Sequence, residues 1–444
     1  MSLGFAHTLK RCSGNERPSH VIFADVESRL TPGEDNKTLF TPFLWTMIYK
    51  RYRQDAKDSQ PYATYGTEVS DFWDEVEAHT YKRTRTYLVT HHLEVDFMPL
   101  QGFIYLPERG WLLDKLVCHG RVLIMWWKRE ASTLIVMNNG NLFTGSIESW
   151  GKLLGVPKLT MPNDNAPFDQ WVTYCMRDTE VMVKMWDTLL AYLDEHDLGN
   201  FKLTAAGLAM SAFRHRFMDY PVTIHHHIDA IDIERASYKG GRFEALKIGT
   251  YTNGPYYSLD INSMYGWIEA SFDLPYELRG IWFDPTLKNV ESKLKRYCVI
   301  AEVDLYTDKQ FLPNIVDGKV VYRSGLIHTT LTTPELKYSL ERGYVVRCHK
   351  MTWYYKANIL GRYARYFLAQ KTKYDQEGNQ PMRAVTKLYL NSLYGKFGQK
   401  GYEDKVIGTA NVDDFRFFTC FDMDTHTRYD MATYGGKIHL QRIM

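Results

Sequence analysis

Short apolar runs and one helical stripe organise the first half of the chain. HVIFAD at 20–25, YLVTHHLEVDF at 87–97 and the Trp-rich and aliphatic clusters within 102–137 predict strands. Residues 170–194 repeat apolar positions at intervals of three and four, which predicts a helix. This order of elements predicts a mixed α/β region that ends near 195–210.

The second half begins with further strand patterns. YYSLD at 256–260 and CVIAEVDL at 298–305 predict strands. HTTLTTPELKYSLERGY at 328–344 predicts a strand followed by a helix, with Thr333 as its cap and Pro334 in its first turn. The pattern therefore remains mixed α/β.

Two helices in close order follow. Apolar positions from Leu360 to Leu368 recur at helical spacing, and the polar turn EGNQP at 377–381 ends that helix. A second helix is predicted at about 382–393. Together they predict a helical hairpin.

Composition narrows the class of protein. A chain of 444 residues predicts two or three domains, and 45% hydrophobic residues supply real cores. No apolar run approaches the roughly 18 residues of a membrane span, so no membrane partner is expected. The six cysteines form no CxxC pair, which argues against a zinc site and favours a reducing compartment.

Charge is distributed unevenly, although the net charge is only +2. Between Arg347 and Lys400 stand eleven Lys or Arg residues against Asp375 and Glu377. This excess indicates a polyanion as partner, with a solvated basic face as the alternative.

The second helix of the predicted hairpin carries the most specific pattern. In KLYLNSLYG, Lys387, Asn391 and Tyr394 lie on one helix face, with Arg383 one turn earlier, and Gly395 permits close approach of a backbone. A cation suits a phosphate and an aromatic ring suits a base. The alternative is an amphipathic helix whose polar face meets only water.

The string K-x3-N-S-x-Y-G resembles the second motif of family-B DNA polymerases, and NSLYGKFG is most similar to the protein-primed branch of phages, adenoviruses and linear plasmids. The resemblance implies that this helix belongs to the fingers. Lys387 would then contact the incoming triphosphate, and Tyr394 would lie near the nascent base pair. Lys371 or Lys373, on the preceding helix, resembles the second triphosphate ligand.

SLDINSMYG at 258–266 resembles the first motif of the same family, D-x-x-S-L-Y-P. Polymerases hold two Mg²⁺ ions that activate the primer 3′-hydroxyl and clamp the phosphoryl transfer. The resemblance implies that a strand ends at Asp260, a metal ligand, and that Ser263 lies near the triphosphate. Tyr265 would exclude a 2′-hydroxyl, and Gly266 stands near the usual proline.

YKGGR at 238–242 resembles the YxGG element between the exonuclease and polymerase regions of the family. The resemblance implies that Tyr238, Gly240 and Gly241 contact DNA and help to partition the primer between two sites. A simple Gly-Gly turn is the alternative reading.

Three further patterns resemble a proofreading exonuclease, which also uses two metal ions. ADVES places Asp25 and Glu27 on the same side of a strand, and Ser28 would touch the strand being cut. HHLEVDF supplies Asp96, with His92 where relatives have a DNA-binding asparagine.

YCMRD supplies Tyr174 and Asp178 at a spacing of four on a helix, similar to the family's Y-x3-D. The resemblance implies that the tyrosine orients the attacking water and the aspartate binds metal. With Asp25, Glu27 and Asp260, Asp178 completes the expected set of metal ligands. A domain that has kept the fold but lost activity is the alternative.

The family's third motif, Y-x-D-T-D, is not found. FDMDT, with Asp422 and Asp424, is its nearest string, and YGGKIHLQRIM at 434–444 looks like the start of the helix that precedes the motif. We therefore expect the chain to stop before the third motif. The three histidines at 225–227 are interpreted as a polar loop, with metal binding as the alternative.

The resemblance implies an α/β (α+β) fold, in which an RNase H-like exonuclease domain precedes a partial palm and helical-hairpin fingers. The expected segments are a flexible leader (1–18), the 3′–5′ exonuclease domain (19–200), a linker and partial palm (201–355), the fingers (356–400) and the truncated start of a returning palm segment (401–444).

The implied function is DNA-directed DNA synthesis with proofreading in viral or plasmid replication, with Mg²⁺ or Mn²⁺ as cofactor. The implied partners are primer-template DNA, dNTPs, a terminal priming protein and a second polypeptide that carries the third motif. The implied location is inside the host cell of a phage or virus, or in an organelle that carries a linear plasmid. Two alternatives stay open: a stand-alone 3′–5′ exonuclease, and a DNA-binding subunit of a split polymerase.

Overall fold

The computed structural model describes residues 5–32, 38–52, 60–119, 122–242, 244–245, 247–316, 318–399, 402–412, 414–423 and 427–443. The chain divides into two compact units, which are considered separately. Unit A comprises 13–216 and 370–444, and unit B comprises 1–12 and 217–369.

The strands of the described residues, in chain order, are β1 (Phe5–Thr8), β2 (His20–Pro32), β3 (Thr38–Arg51), β4 (Tyr62–Gly66), β5 (Arg85–Thr90), β6 (Leu112–His119), β7 (Val122–Arg129), β8 (Ser132–Asn138), β9 (Thr223–His225), β10 (Leu274–Phe283), β11 (Cys298–Thr307), β12 (Pro313–Val316), β13 (Lys319–Tyr322), β14 (Gly325–Leu331), β15 (Val345–Ala357), β16 (Tyr402–Thr409), β17 (Arg416–Asp422), β18 (Thr427–Tyr434) and β19 (Lys437–Ile443). The α-helices are α1 (Val69–Ala78), α2 (Leu93–Phe97), α3 (Gly102–Glu108), α4 (Ile147–Leu153), α5 (Phe168–Glu195), α6 (Ala205–Ala212), α7 (Ile228–Ser237), α8 (Met264–Ser271), α9 (Leu287–Leu294), α10 (Thr333–Glu341), α11 (Gly361–Gln376) and α12 (Gln380–Phe397).

A seven-stranded mixed sheet, ordered β4-β3-β2-β5-β8-β7-β6, forms the core of unit A. Strands β2, β3 and β4 are antiparallel, whereas β5 runs parallel to both β2 and β8. The inner strands are buried on both faces, so they appear in the sequence as continuous apolar runs. Helix α5 packs on β2, where Trp186 meets Phe23 edge-on at 5.5 Å. This arrangement confirms the predicted α/β fold class.

Both predicted helices are present as α11 and α12, and α12 lies in unit A. Its buried face, which includes Val385, Tyr389 and Leu393, packs on α5 and α6. The Tyr192 hydroxyl on α5 hydrogen-bonds the Thr386 hydroxyl at 2.8 Å. The packing leaves the opposite face of α12 to solvent.

Unit B is built on a four-stranded antiparallel sheet, ordered β10-β15-β11-β14. Alternate residues of β11, such as Val303 and Leu305, are buried in the core, so residues between them face the other way. The cap of α10 is Thr332, which shares a capping box with Glu335, rather than the predicted Thr333. The Thr333 hydroxyl instead forms hydrogen bonds with the backbone N–H and carbonyl of Val299.

Several predicted elements differ in the structure. Within the leader predicted at 1–18, β1 pairs with β9, so this part is ordered. The apolar run at 87–97 is a strand only to Thr90, after which α2 buries Leu93, Asp96 and Phe97 at helical spacing. GFIYLPE is helix α3 rather than a strand, because short apolar runs fit either element until packing decides.

The last described residues and the segment before Asp260 also differ from expectation. The stretch 437–443 is strand β19, held between β16 and β18, and not the start of a helix. Residues 256–260 have no regular secondary structure, since no strand in the described part of the chain pairs with them. Among the described helices, none has both the length and the apolar composition needed to cross a bilayer.

Candidate active site

Four carboxylates of unit A converge where β2, α2 and α5 meet. Asp25 and Glu27 stand two residues apart on β2, so their side chains point to the same side of the sheet. Asp96 comes from α2 and Asp178 from α5, and both are buried. The structure thus brings together the acids that the sequence placed in separate motifs.

Burial is the main influence on the pKa values of these four acids. It raises the pKa of Asp25 well above its ordinary range, and the charges of Asp96, Asp178 and Glu27 raise it further. Burial likewise raises the pKa of Glu27 to about 7 and that of Asp96 to about 7. The pKa of Asp178 is raised for the same reason. Such a cluster attracts a compensating cation strongly.

Lys158 supplies one positive charge, and sequence reasoning missed it. Its ammonium group donates a hydrogen bond to Asp178 Oδ2 and lies 4.9 Å from the centre of the Tyr174 ring. Burial alone would lower the pKa of Lys158, but hydrogen bonds with Asp178 and Tyr174 raise it overall. Lys158 lies in a loop with no repeating pattern, so no local signal marks it.

Cys175 is a second residue that the sequence did not single out. Its thiol lies 3.5 Å from Asp25 Oδ2 and 3.2 Å from the Thr46 hydroxyl. Potential ligand atoms of Asp25, Glu27 and Cys175 all lie within 4.8 Å of one another. Burial raises the pKa of the thiol well above its usual range, so Cys175 remains a neutral packing partner.

The donor set fits a hard divalent cation. Carboxylate oxygens are the ligands that Mg²⁺ and Mn²⁺ prefer. Asp178 Oδ1 is buried and accepts no hydrogen bond from any described residue, while Lys158 engages the other oxygen of the same carboxylate. A cation would satisfy that oxygen and offset the repulsion among the acids.

The two residues of the exonuclease motifs that are predicted to contact DNA, His92 and Ser28, lie beside this cluster. The backbone N–H of His92 donates to Asp96 Oδ2 at 3.2 Å, while its side chain is exposed. The Ser28 hydroxyl is buried and makes no hydrogen bond within the described part of the chain. Their contacts with DNA remain predictions.

The first polymerase motif lies in unit B. Asp260 is exposed in the irregular segment, and Ser263 adopts a left-handed conformation (φ 53°) at the start of α8. A Cβ on Gly241 would lie 3.8 Å from the Tyr265 hydroxyl, so the YxGG element and the predicted sugar-selecting ring are neighbours. Tyr238 is exposed at the end of α7, and Gly240 takes a positive φ of 73°.

The nucleotide-binding pattern lies on the exposed face of α12 in unit A. Lys387, Asn391 and Tyr394 are all exposed there, as the helical spacing predicts. Lys371 and Lys373 lie in the last turns of α11. A side chain at Gly395 would meet no atom of the described residues within 4 Å apart from the helix's own backbone, so nothing in the described part of unit A requires glycine at this position.

The third-motif string falls partly outside the description. Asp422 ends β17, whereas Asp424 lies outside the described residues. Strand β17 pairs with β18 in the four-stranded sheet β16-β19-β18-β17.

Two curated DNA polymerases resemble parts of this chain. A DNA polymerase of Kluyveromyces lactis is 25% identical over 244 residues, which are 51% of this chain and 24% of that protein. A DNA polymerase of Acidianus bottle-shaped virus is 26% identical over 174 residues, or 37% of this chain and 26% of that protein. The chain thus spans about a quarter of the length of these relatives. A 171-residue stretch is also 23% identical to the chaperone HtpG of Bacteroides fragilis and covers 22% of it.

A solved structure supports the fold over nearly the whole chain. The phi29 DNA polymerase complexed with primer-template DNA superposes with a TM-score of 0.61 and 14% identity, covering 96% of this chain and 73% of that one. The fold is therefore similar to that of phi29 DNA polymerase. The segment similar to HtpG does not alter this assignment, because the fold match extends over both units.

The family model described as DNA polymerase type B, organellar and viral, matches residues 160–418, more than half of the chain. The matched range contains Asp178 of the carboxylate cluster together with the Asp260 and Lys387 motifs. The chain belongs to the type B DNA polymerases of organelles and viruses.

Proposed function

We propose that this protein removes nucleotides from DNA 3′ ends and takes part in DNA-templated DNA synthesis. One observation carries the exonuclease proposal: Asp25, Glu27, Asp96 and Asp178 converge, and a buried oxygen of Asp178 lacks a hydrogen-bond partner among the described residues. Buried acids that repel one another at this density are expected where a metal ion belongs.

In the proposed exonuclease, Asp25, Glu27 and Asp178 hold divalent ions, Mg²⁺ or Mn²⁺. Such ions supply an activated water and stabilise charge on the scissile phosphate. Tyr174 orients that water. Lys158 fixes the Asp178 carboxylate by its hydrogen bond and offsets negative charge, which lowers the pKa of the neighbouring acids. His92 and Ser28 would hold the terminal nucleotides.

In the proposed polymerase, unit B would contribute Asp260 as a metal ligand, Ser263 beside the triphosphate and Tyr265 as the sugar-selecting ring. The neighbouring Gly241 and Tyr265 support a role for the YxGG element near the primer terminus. Tyr238 and Gly240 would contact the DNA backbone.

The exposed face of α12 would bind the incoming dNTP. Lys387, with Lys371 or Lys373, would contact its phosphates, while Asn391 and Tyr394 would lie near the base pair. The exposure of the α12 residues and the basic excess of 347–400 support this assignment. Gly395 would let the DNA backbone approach.

We further assign proofreading to 19–200, the palm elements to 201–355 and 401–444, and the fingers to 356–400. The proposed partners are primer-template DNA, dNTPs, a terminal protein as primer and a polypeptide that supplies the third-motif carboxylate. The family description supports replication of a viral or organellar element inside its host cell.

The test uses the purified chain with a 5′-labelled oligonucleotide and Mg²⁺, with and without a template and dNTPs. We expect stepwise excision from the 3′ end that disappears with a chelator and in Asp25→Ala. Wild-type protein that binds DNA without excising it would contradict the exonuclease proposal and favour a DNA-binding subunit.

The polymerase proposal is tested separately in the same assay. Primer extension that is lost in Asp260→Ala and retained in Asp25→Ala would support it. If extension is absent, adding a polypeptide that carries a Y-x-D-T-D motif is expected to restore it. Excision without extension under both conditions would favour a stand-alone exonuclease.

A further inference from the structure

Two histidines and an aspartate meet on the sheet of unit B, away from every motif considered above. Asp304 lies on β11, His328 on β14 and His349 on β15. Asp304 Oδ1 lies 2.7 Å from His328 Nδ1, and Asp304 Oδ2 lies 2.7 Å from His349 Nε2. Potential ligand atoms of all three lie within 4.8 Å of one another.

The register of the sheet creates this meeting. Asp304 stands directly opposite His328 in the antiparallel pair β11–β14. On the other side, the β11–β15 pairing is irregular between Glu302 and Val303 and again between Asp304 and Leu305, and His349 falls within this stretch. Because Val303 and Leu305 point into the core, the cluster lies on the opposite face of the sheet.

The chemistry of the donors suits a borderline divalent ion. Two imidazole nitrogens and a carboxylate oxygen form a set that zinc and related transition ions prefer, whereas Mg²⁺ favours oxygen alone. Glu302 stands next to the set, with Oε1 3.1 Å from His328 Nε2. We propose that Asp304, His328 and His349 form a binding site for Zn²⁺ or a similar transition-metal ion.

The side chains would have to move to admit the ion. Ligand atoms at about 2.0 Å from a tetrahedral ion lie about 3.3 Å from one another. The two present contacts of 2.7 Å would therefore open by about half an ångström, and the imidazole nitrogens, which lie within 4.8 Å of each other, would adjust toward the same separation. Without an ion, the same atoms form a hydrogen-bonded network, so binding has to replace those bonds.

A bound ion would tie three strands together and keep a position open. The three ligands come from β11, β14 and β15, so the ion would cross-link the sheet. Glu302 and His328 also line a cavity of about 290 Å³, together with Lys239 and Lys350. Of the three proposed ligands, His328 lines this cavity, so the cavity adjoins the site on the β14 side.

The test measures Zn²⁺ binding to the full chain after removal of metal with a chelator. Titration calorimetry with Zn²⁺ and absorption of bound Co²⁺ are compared for wild type, His328→Ala and Asp304→Asn. His226→Ala is the matched control, because His226 is an exposed histidine of the same unit outside the cluster. Circular dichroism confirms that each variant folds.

We expect His328→Ala and Asp304→Asn to weaken Zn²⁺ binding by about a hundredfold or more, and His226→Ala to leave it unchanged. Zn²⁺ should also raise the Tm of wild type more than that of His328→Ala. Equal Zn²⁺ affinity in folded wild type and His328→Ala would overturn the proposal, and so would the absence of binding to wild type. Ions held at the carboxylate cluster of unit A are common to all four proteins and cancel in the comparison.

Discussion

The two places proposed to hold catalytic metal ions differ in how the chain supports their carboxylates. Asp25 and Glu27 lie on strand β2, which pairs with β3 along its length and with β5 as far as Phe23. Asp178 lies on a 28-residue helix packed against β2. Asp260 lies in a segment without regular structure, where Leu259 is 92% exposed and Ile261 is 68% exposed.

The difference shows that a sequence motif does not by itself establish an organised site. In unit A, paired strands and a long helix fix the acids despite their repulsion. In unit B, the apolar residues beside Asp260 have no strand of the described chain to pack against. We therefore expect the first centre to act with metal alone, and the second to need DNA, nucleotide or another polypeptide for its order.

The largest predicted effect separates the two centres. Asp178→Ala should slow excision roughly a thousandfold, or about 4 kcal/mol in the barrier, because it removes a metal ligand. Asp260→Ala should leave excision within about twofold of wild type. Single-turnover hydrolysis of single-stranded DNA measures both, and equal losses would remove the distinction.

A smaller effect is expected at Lys158, which acts through Asp178. Lys158→Met should slow excision by about 30- to 100-fold, with partial recovery in Lys158→Arg. The Lys158 charge lowers the pKa of Asp25, Glu27 and Asp178, so its loss should raise those pKa values. The acid limb of the pH–rate profile should then move to higher pH, which a purely structural role would not produce.

A substitution on the nucleotide-binding face of α12 should change dNTP binding independently of excision. Lys387→Ala should weaken Mg²⁺–dNTP binding by about tenfold, the effect expected for one phosphate contact. Lys405→Ala, an exposed lysine on β16, is the control. Fluorescence titration with a labelled dNTP measures the affinity, and an unchanged value in Lys387→Ala would refute the assignment.

The smallest predicted effect is on the free energy of unfolding of the metal-free protein. Because the folded pKa of Asp96 is raised to about 7, the folded state binds its proton more tightly than the unfolded chain does. The contribution of Asp96 to the free energy of unfolding is therefore greatest at low pH, and it falls as the pH rises from about 4 to about 7. At pH 8 with chelator, Asp96→Asn should stabilise the protein by about 1 kcal/mol.

The control for that prediction is Asp164→Asn, at an exposed carboxylate in the same unit. Urea unfolding at pH 4 and pH 8 measures both variants. Asp96→Asn should lose its advantage at pH 4 and when Mg²⁺ is added, and destabilisation at pH 8 would contradict the account.

The sequence predicted those parts of the fold and site that local patterns encode. The α5 stripe with Tyr174 and Asp178 and the exposed face of α12 follow helical spacing, so both appear in the structure. Asp25 and Glu27 follow strand alternation on β2. Each pattern needed only residues close in sequence.

Features set by tertiary packing were missed or misplaced. Lys158 contacts Asp178 from a loop. Asp96 lies on helix α2, within an apolar run that had predicted a strand. The strand predicted before Asp260 is absent, because a strand needs a partner that local pattern does not supply. Asp304 and His328 meet only through strand register.

The most direct test of the central claim is Mn²⁺ binding to the carboxylate cluster of unit A. Water-proton relaxation is measured in the full chain and in Asp25→Asn and Asp260→Asn variants, all carrying His328→Ala so that the second cluster does not contribute. The account predicts that Asp25→Asn removes the tightest Mn²⁺ binding and that Asp260→Asn retains it. Tight binding that survives Asp25→Asn, or that disappears in Asp260→Asn, would contradict it.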